Sequence, residues 1–211
     1  MTTNSETAPG EDRSTALAFV NSKHRRGRVV VDQIETPEML HAWLSRHSMT
    51  VPEPPITARE LERTHALRDA IRTLMHGSVE GEHPPREMLR IVNEAASAAP
   101  RAAALDWTAS RGPTRRYTTV KVSPIELVLS AMATDAIELL TDERRQELVE
   151  CSGPGCIRFL LKDHPRRHWC SPGCGERARA ARYYRRHLPQ PGGAQSSALA
   201  SDPSNAVPRG G

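Results

Sequence analysis

Apolar positions along the chain change period several times, and each change marks an element. LAFVNS, residues 17–22, is a compact apolar run that predicts a short strand; KHRRGR at 23–28 follows as a basic loop, then a second strand at Val29–Val31. From Thr36 the period becomes helical, with Thr36 as cap, Pro37 in the first turn and Leu40, Trp43, Leu44 and His47 on one face. Thr57 and Glu60 have capping-box spacing ahead of a second stripe of Leu61, Thr64, Leu67, Ile71, Leu74 and Met75. A third helix is predicted after Pro84 and Pro85, with Leu89, Val92, Ala96 and Ala99 inward.

The pattern then alternates. β-formers flank SRGP, which predicts a hairpin from about Ala103 to Val122. Ser123, Pro124 and Glu126 open a long helix whose Ile125, Val128, Leu129, Met132, Leu139 and Leu140 form a stripe, expected to seal an N-terminal domain over residues 14–148. TDERRQELVE supplies the boundary to a unit at 149–188. The lead, 1–13, and the tail, 189–211, hold too few apolar residues to offset the entropy of ordering and are expected to be disordered.

Composition adds an asymmetry. Residues 151–211 carry 10 basic and 3 acidic side chains, net +7, whereas residues 1–150 carry 19 and 22, net −3. An acidic body with a basic end is the distribution expected when one end meets a polyanion. MTTNSETAPGEDRST has no secretory pattern, and no apolar run approaches the ~20 residues needed to cross a bilayer, so a cytoplasmic protein with no membrane partner is expected.

All four cysteines lie between 151 and 174: Cys151, four residues, Cys156, thirteen, Cys170, three, Cys174. Two close pairs joined by a hairpin-length stretch suit tetrahedral zinc, each pair gripping from a tight turn. Four thiolates leave no position for water, so a single structural zinc is expected. Free structural thiols, two disulfides and a redox dithiol are the competing readings, and His164 or His168 lies near enough to replace a cysteine. GERARAARYYRRH after Cys174 predicts a helix to about Leu188, with Arg179, Arg182 and Arg186 on one stripe and Arg185 alongside. The fold class is therefore α+β: a mostly helical N-terminal domain with a β-hairpin, and a small treble-clef-like unit of knuckle, hairpin and helix. Arginine-rich helices are often merely solvated; beside Arg158, Lys162, Arg166 and Arg167 on one small unit, nucleic-acid contact is the stronger reading.

CSGPGCIRFLL and RRHWCSPGCGERARAARYYRRH resemble the CGNR zinc finger, whose Cys-Gly-Asn-Arg tetrad here reads Cys174, Gly175, Glu176, Arg177. Glu176 replaces the family asparagine, and Leu160 and Leu161 stand where an aspartate is frequent. The N-terminal region is similar to the ABATE domain that precedes this finger: LAFVNS resembles its opening strand and LHAWL its first helix, with the hairpin and long helix in order. The resemblance implies a bacterial stress-induced transcription regulator, with the finger on nucleic acid and the larger domain as a sensor of unidentified input.

The expected function is zinc-dependent binding of double-stranded DNA, with Arg166, Arg167, Arg177, Arg179, Arg182, Arg185 and Arg186 on phosphates or base edges. RNA is the near neighbour, since Trp169, Tyr183 and Tyr184 can stack on bases. The rival is a zinc-stabilised protein-interaction module. Homo-oligomerisation stays open. Enzymatic activity is not expected: His41, His65, His76 and His83 have no metal spacing, and there is no phosphate loop or nucleophile motif.

Overall fold

The computed structural model describes residues 7–49, 53, 55–119 and 122–187. LAFVNS is helical rather than a strand. Residues 17–21 lie within α1 (Thr15–Asn21) and Ser22 caps its end, while Ser14 Oγ accepts the Leu17 N–H and Asp135 Oδ2 accepts that of Ala16 at 2.7 Å. Six of its seven residues are buried. A short segment buried on every side has no polar face, so its apolar run cannot distinguish helix from strand.

The basic loop is also corrected. β1 (Lys23–Arg26) pairs antiparallel with β2 (Val29–Asp32), and Gly27 takes the left-handed turn at φ 65°. α2 (Pro37–Arg46) is capped by Thr36 and buries Leu40, Trp43 and Leu44; His47 follows it and stacks on Trp43. α3 (Ala58–Glu80) carries the Thr57–Glu60 capping box in full and stops at Gly81, φ 72°. α4 (Arg86–Ala98) presents Val92 with Met88, Ile91 and Ala95 to the core. Leu89, expected inward, is exposed, because the apolar stripe runs through the neighbouring 88–91–92–95 positions.

β3 (Arg101–Thr108) and β4 (Gly112–Thr119) form the expected hairpin; its anticipated extension to Val122 passes through 120–121, outside the described residues. α5 (Pro124–Thr141) has its Ser123–Glu126 capping box and packs against α1, α3 and α4. A 3₁₀ turn, Glu143–Gln146, leads to β5 (Leu148–Glu150), paired with β6 (Phe159–Leu161), and α6 (Pro172–His187) follows.

The boundary expected near 149 is bridged by packing. Strand alternation turns Phe159 and Leu161 of β6 into the main core with Leu148, while Leu160 faces the cysteines. The Asn21 side chain pairs with Phe159 twice, Nδ2 donating to its carbonyl and Oδ1 accepting its N–H, both at 2.9 Å. Arg72 on α3 donates to the carbonyls of Val20, Lys23 and Ile157, joining α1, β1 and the finger.

Of the lead expected to be disordered, residues 7–13 are ordered against this joint. Ala8 is buried beside the cysteines, the Pro9 carbonyl accepts the Leu161 N–H at 2.9 Å, and Arg13 pairs with Glu147. Gly10, at φ 92°, lies where a Cβ would come within 2.6 Å of that of Leu161. Backbone pairing, two small buried residues and the polar side chains of Glu11 and Arg13 hold the strap, and none registers as apolar pattern. Residues 1–6 and the expected tail from 189 lie outside the described residues.

One charged pair is internal to the body. Arg68, 1% exposed, donates both terminal nitrogens to Asp32 at 2.6 Å and also reaches Ser22 Oγ at 3.0 Å. It ties α3 to the end of α1 and to β2. Burial alone raises the Asp32 carboxyl; the Arg68 donors and the Ile34 N–H outweigh it and hold the carboxyl below its usual range.

Candidate metal centre and the basic helix

Cys151 follows β5 directly. The chain then turns through Gly153–Gly155, with the Cys156 N–H bonded to the Gly153 carbonyl at 2.9 Å and Gly155 left-handed at φ 69°. This knuckle leans on the opposite pair: a Cβ at Gly153 would lie 2.8 Å from Cys174 Cβ and 3.1 Å from its sulfur. Only a residue without a side chain lets the two pairs close up.

The second pair sits at the start of α6. Pro172 opens the helix and Ser171 caps it, its Oγ accepting the Cys174 N–H at 3.3 Å. Cys170 lies just before the helix and Cys174 in its first turn. Trp169 covers the turn: a Cβ at Gly175 would lie 3.1 Å from the indole, which accounts for glycine after the last cysteine.

The four sulfurs lie within 4.8 Å of one another, with Cys156–Cys170 at 3.7 Å and Cys170–Cys174 at 3.5 Å. Tetrahedral thiolates at about 2.3 Å from zinc are separated by roughly 3.8 Å, so this donor set fits the ion. No histidine joins the cluster: His164 Nδ1 accepts the Arg166 N–H, and His168 packs edge-on to Trp169.

Crowding of sulfurs dominates their protonation. The Cys151 and Cys170 side chains stabilise the Cys156 thiolate, pulling it down to about 2. The same contact with Cys156 pushes Cys151 up to about 11, and those with Cys151 and Cys156 push Cys170 up further. Among these three, one thiolate is favoured at the expense of its neighbours; a divalent cation is what such a cluster needs to ionise fully. The Cys170 N–H already points at Cys151 Sγ, 3.2 Å away, and Arg177 donates to Cys174 Sγ at 2.9 Å.

Of the predicted nucleic-acid residues, Arg177 is exposed and also faces a cysteine sulfur through one terminal nitrogen. Arg167 is bridged to Asp163 at 2.8 Å. Arg166, Arg179, Arg182, Arg185 and Arg186 are exposed, and beyond Gly175 no residue of α6 is buried. Arg182 Nε bonds back to the Ala178 carbonyl in its own helix. Tyr183 and Tyr184 are each 60% exposed and lie edge to edge, with Tyr183 stacked on His187, so both rings are available to a partner. Trp169 instead packs against the first turn of α6 at Gly175. Glu176, in the place of the tetrad asparagine, is exposed.

Sequence reasoning missed the residues that seat this unit on the body: Asn21, Arg72 and the strap at 7–13. An asparagine closing an apolar run was the one available signal, since a buried amide needs partners.

Two family models match the chain. One, ABATE, described as "Putative stress-induced transcription regulator", covers residues 13–143; the other, the CGNR zinc finger, covers residues 148–187. Among curated proteins none matches the sequence.

Proposed function

The chain belongs to the ABATE family and carries a CGNR zinc finger at residues 148–187, and from that premise we propose that it is a zinc-dependent DNA-binding transcription regulator. One zinc per chain, held by Cys151, Cys156, Cys170 and Cys174, acts structurally: its charge lets all four thiols ionise and closes the finger. Arg177 offsets the excess negative charge of the tetrathiolate. α6 then projects as a rigid rod, and Arg179, Arg182 and Arg186 along one stripe, with Arg166 and Arg185 beside them, meet phosphates of duplex DNA.

The observation that carries this reading is the bare helix: a row of exposed arginines, Arg179, Arg182, Arg185 and Arg186, with no acidic partner among the described residues. The helical body is assigned sensing or interaction rather than catalysis. No described helix is long and apolar enough to cross a membrane, and the reading places the protein in the bacterial cytoplasm.

Changing Arg179, Arg182 and Arg186 together to Gln should leave zinc content and helicity intact. Affinity for duplex DNA should fall, and the slope of log affinity against log salt should flatten by about 0.9 per lost contact. Cys170→Ser, losing zinc, serves as the unfolded-finger control. Equal affinities and slopes for parent and triple variant point to a protein-interaction module; a loss confined to single-stranded RNA points to stacking by Tyr183 and Tyr184.

A further inference from the structure

The β3–β4 ribbon is the one long element of the described body that packs chiefly on itself. Its register divides its residues between two faces. Ala103, Leu105 and Trp107 with their partners Tyr117, Arg115 and Pro113 share one; Ala104, Asp106 and Thr108 with Arg116, Thr114 and Gly112 share the other. The first face is apolar yet open to solvent: Leu105 is 74% exposed, Trp107 69% and Tyr117 51%. Exposed trios of Trp, Tyr and Arg around an aliphatic centre are the composition of binding hot spots, and a patch of this kind marks an interaction site.

Charge narrows the occupant. Residues 101–119 carry four arginines and one aspartate, net +3, while the rest of residues 1–150 carries 15 basic and 21 acidic side chains, net −6. Face-to-face pairing of two ribbons sets +3 against +3. A phosphate backbone offers Leu105 and Pro113 nothing apolar to cover them. The acidic helical surface of this same protein satisfies both demands, and beside the root of the ribbon lies a seat for it. A recess of about 430 Å³ between α4 and α5 is floored by small residues, Ala96, Ala99, Ala131 and Ser130, with Asp135 and the exposed Glu138 at its edge. Asp135 is committed to the start of α1; Glu138 faces outward.

We propose that the ribbon of one chain docks on a second copy, Leu105 and Trp107 entering the partner's α4–α5 recess with Arg115 against its acidic edge, and reciprocally, so that the protein is a two-fold dimer clasped by exchanged ribbons.

Sedimentation velocity of the full zinc-loaded chain at micromolar concentrations tests this. The parent should run at twice the chain mass. The Leu105→Asp, Trp107→Ser double variant should run as a folded monomer, its dissociation constant raised at least about 30-fold, with zinc content and far-ultraviolet circular dichroism unchanged because both side chains are exposed within one chain. Glu138→Arg should weaken the dimer, and Arg115→Glu added to it should restore association. A monomeric parent overturns the proposal, including the case in which the ribbon variant loses DNA affinity instead. A dimer indifferent to both the double variant and Glu138→Arg overturns it equally.

Discussion

Arg68 and Arg72 of the helical body are drawn inside and bonded to carbonyls, a hydroxyl and a carboxylate, whereas Arg179, Arg182, Arg185 and Arg186 of α6 stand in solvent on a helix that buries only its first turn. The same side chain serves opposite ends in the two regions. A guanidinium taken out of water is costly unless its donors and charge are matched, so each buried one becomes a hub on which several elements depend. An exposed guanidinium costs nothing to leave bare and contributes little to folding, so a row of them is available to a partner. The body is held by apolar packing and two arginine hubs; the finger has a core of little more than Ala8, Leu160 and its cysteines, and relies on sulfur ligation and on being wired to the body.

The sharpest break of this contrast is at the hub. Asp32→Ala leaves Arg68 buried and unpaired, and should lower global stability by about 3–5 kcal/mol in urea unfolding monitored by circular dichroism. Its pH signature has a definite sign. The folded Asp32 carboxyl is held below its ordinary value, so its contribution is fully present above the ordinary aspartate pKa and is lost as pH falls through the lowered folded value. The gap between parent and variant should therefore narrow on acidification and stay constant toward neutrality.

A smaller effect is expected at the joint. Asn21→Ala strips the backbone of Phe159 of both its partners in a buried place, which should cost about 1–3 kcal/mol. Because Phe159 precedes the face of β6 turned to the cysteines, the variant should also surrender zinc to a chelator faster than the parent. Unchanged chelation kinetics with lowered stability would separate the joint from the metal site.

Least of all should happen at a single exposed arginine. Arg182→Gln should shift stability by no more than about 0.5 kcal/mol, measured beside Asp32→Ala under the same conditions. A loss comparable with that of Asp32→Ala would remove the distinction between structural and displayed arginines.

Much of this was legible in residue order because it is local. The capping boxes at Thr57–Glu60 and Ser123–Glu126 form as written, and the four cysteines at their spacing converge on one site. LAFVNS was misread because a wholly buried helix shows no period, and Leu89 because a helical stripe shifted by one position still scores as apolar. The strap at 7–13 was misread because its contacts are made by backbone, by small Ala8 and by the polar side chains of Glu11 and Arg13, which carry no hydrophobic pattern.

By itself the sequence determined the elements whose signals lie within a few residues: caps, turns, the helical stripes, the zinc knuckles and the arginine spacing of α6. These depend on short-range sterics and hydrogen bonds that neighbours in sequence supply. Only the tertiary structure decided that Asn21, Arg72 and residues 7–13 bind the finger to the body, that Arg167 and Arg177 turn to Asp163 and Cys174, and that the ribbon keeps Trp107 in solvent. Those outcomes rest on which distant groups arrive side by side, and a buried polar group takes whichever partner the packing brings within about 3 Å.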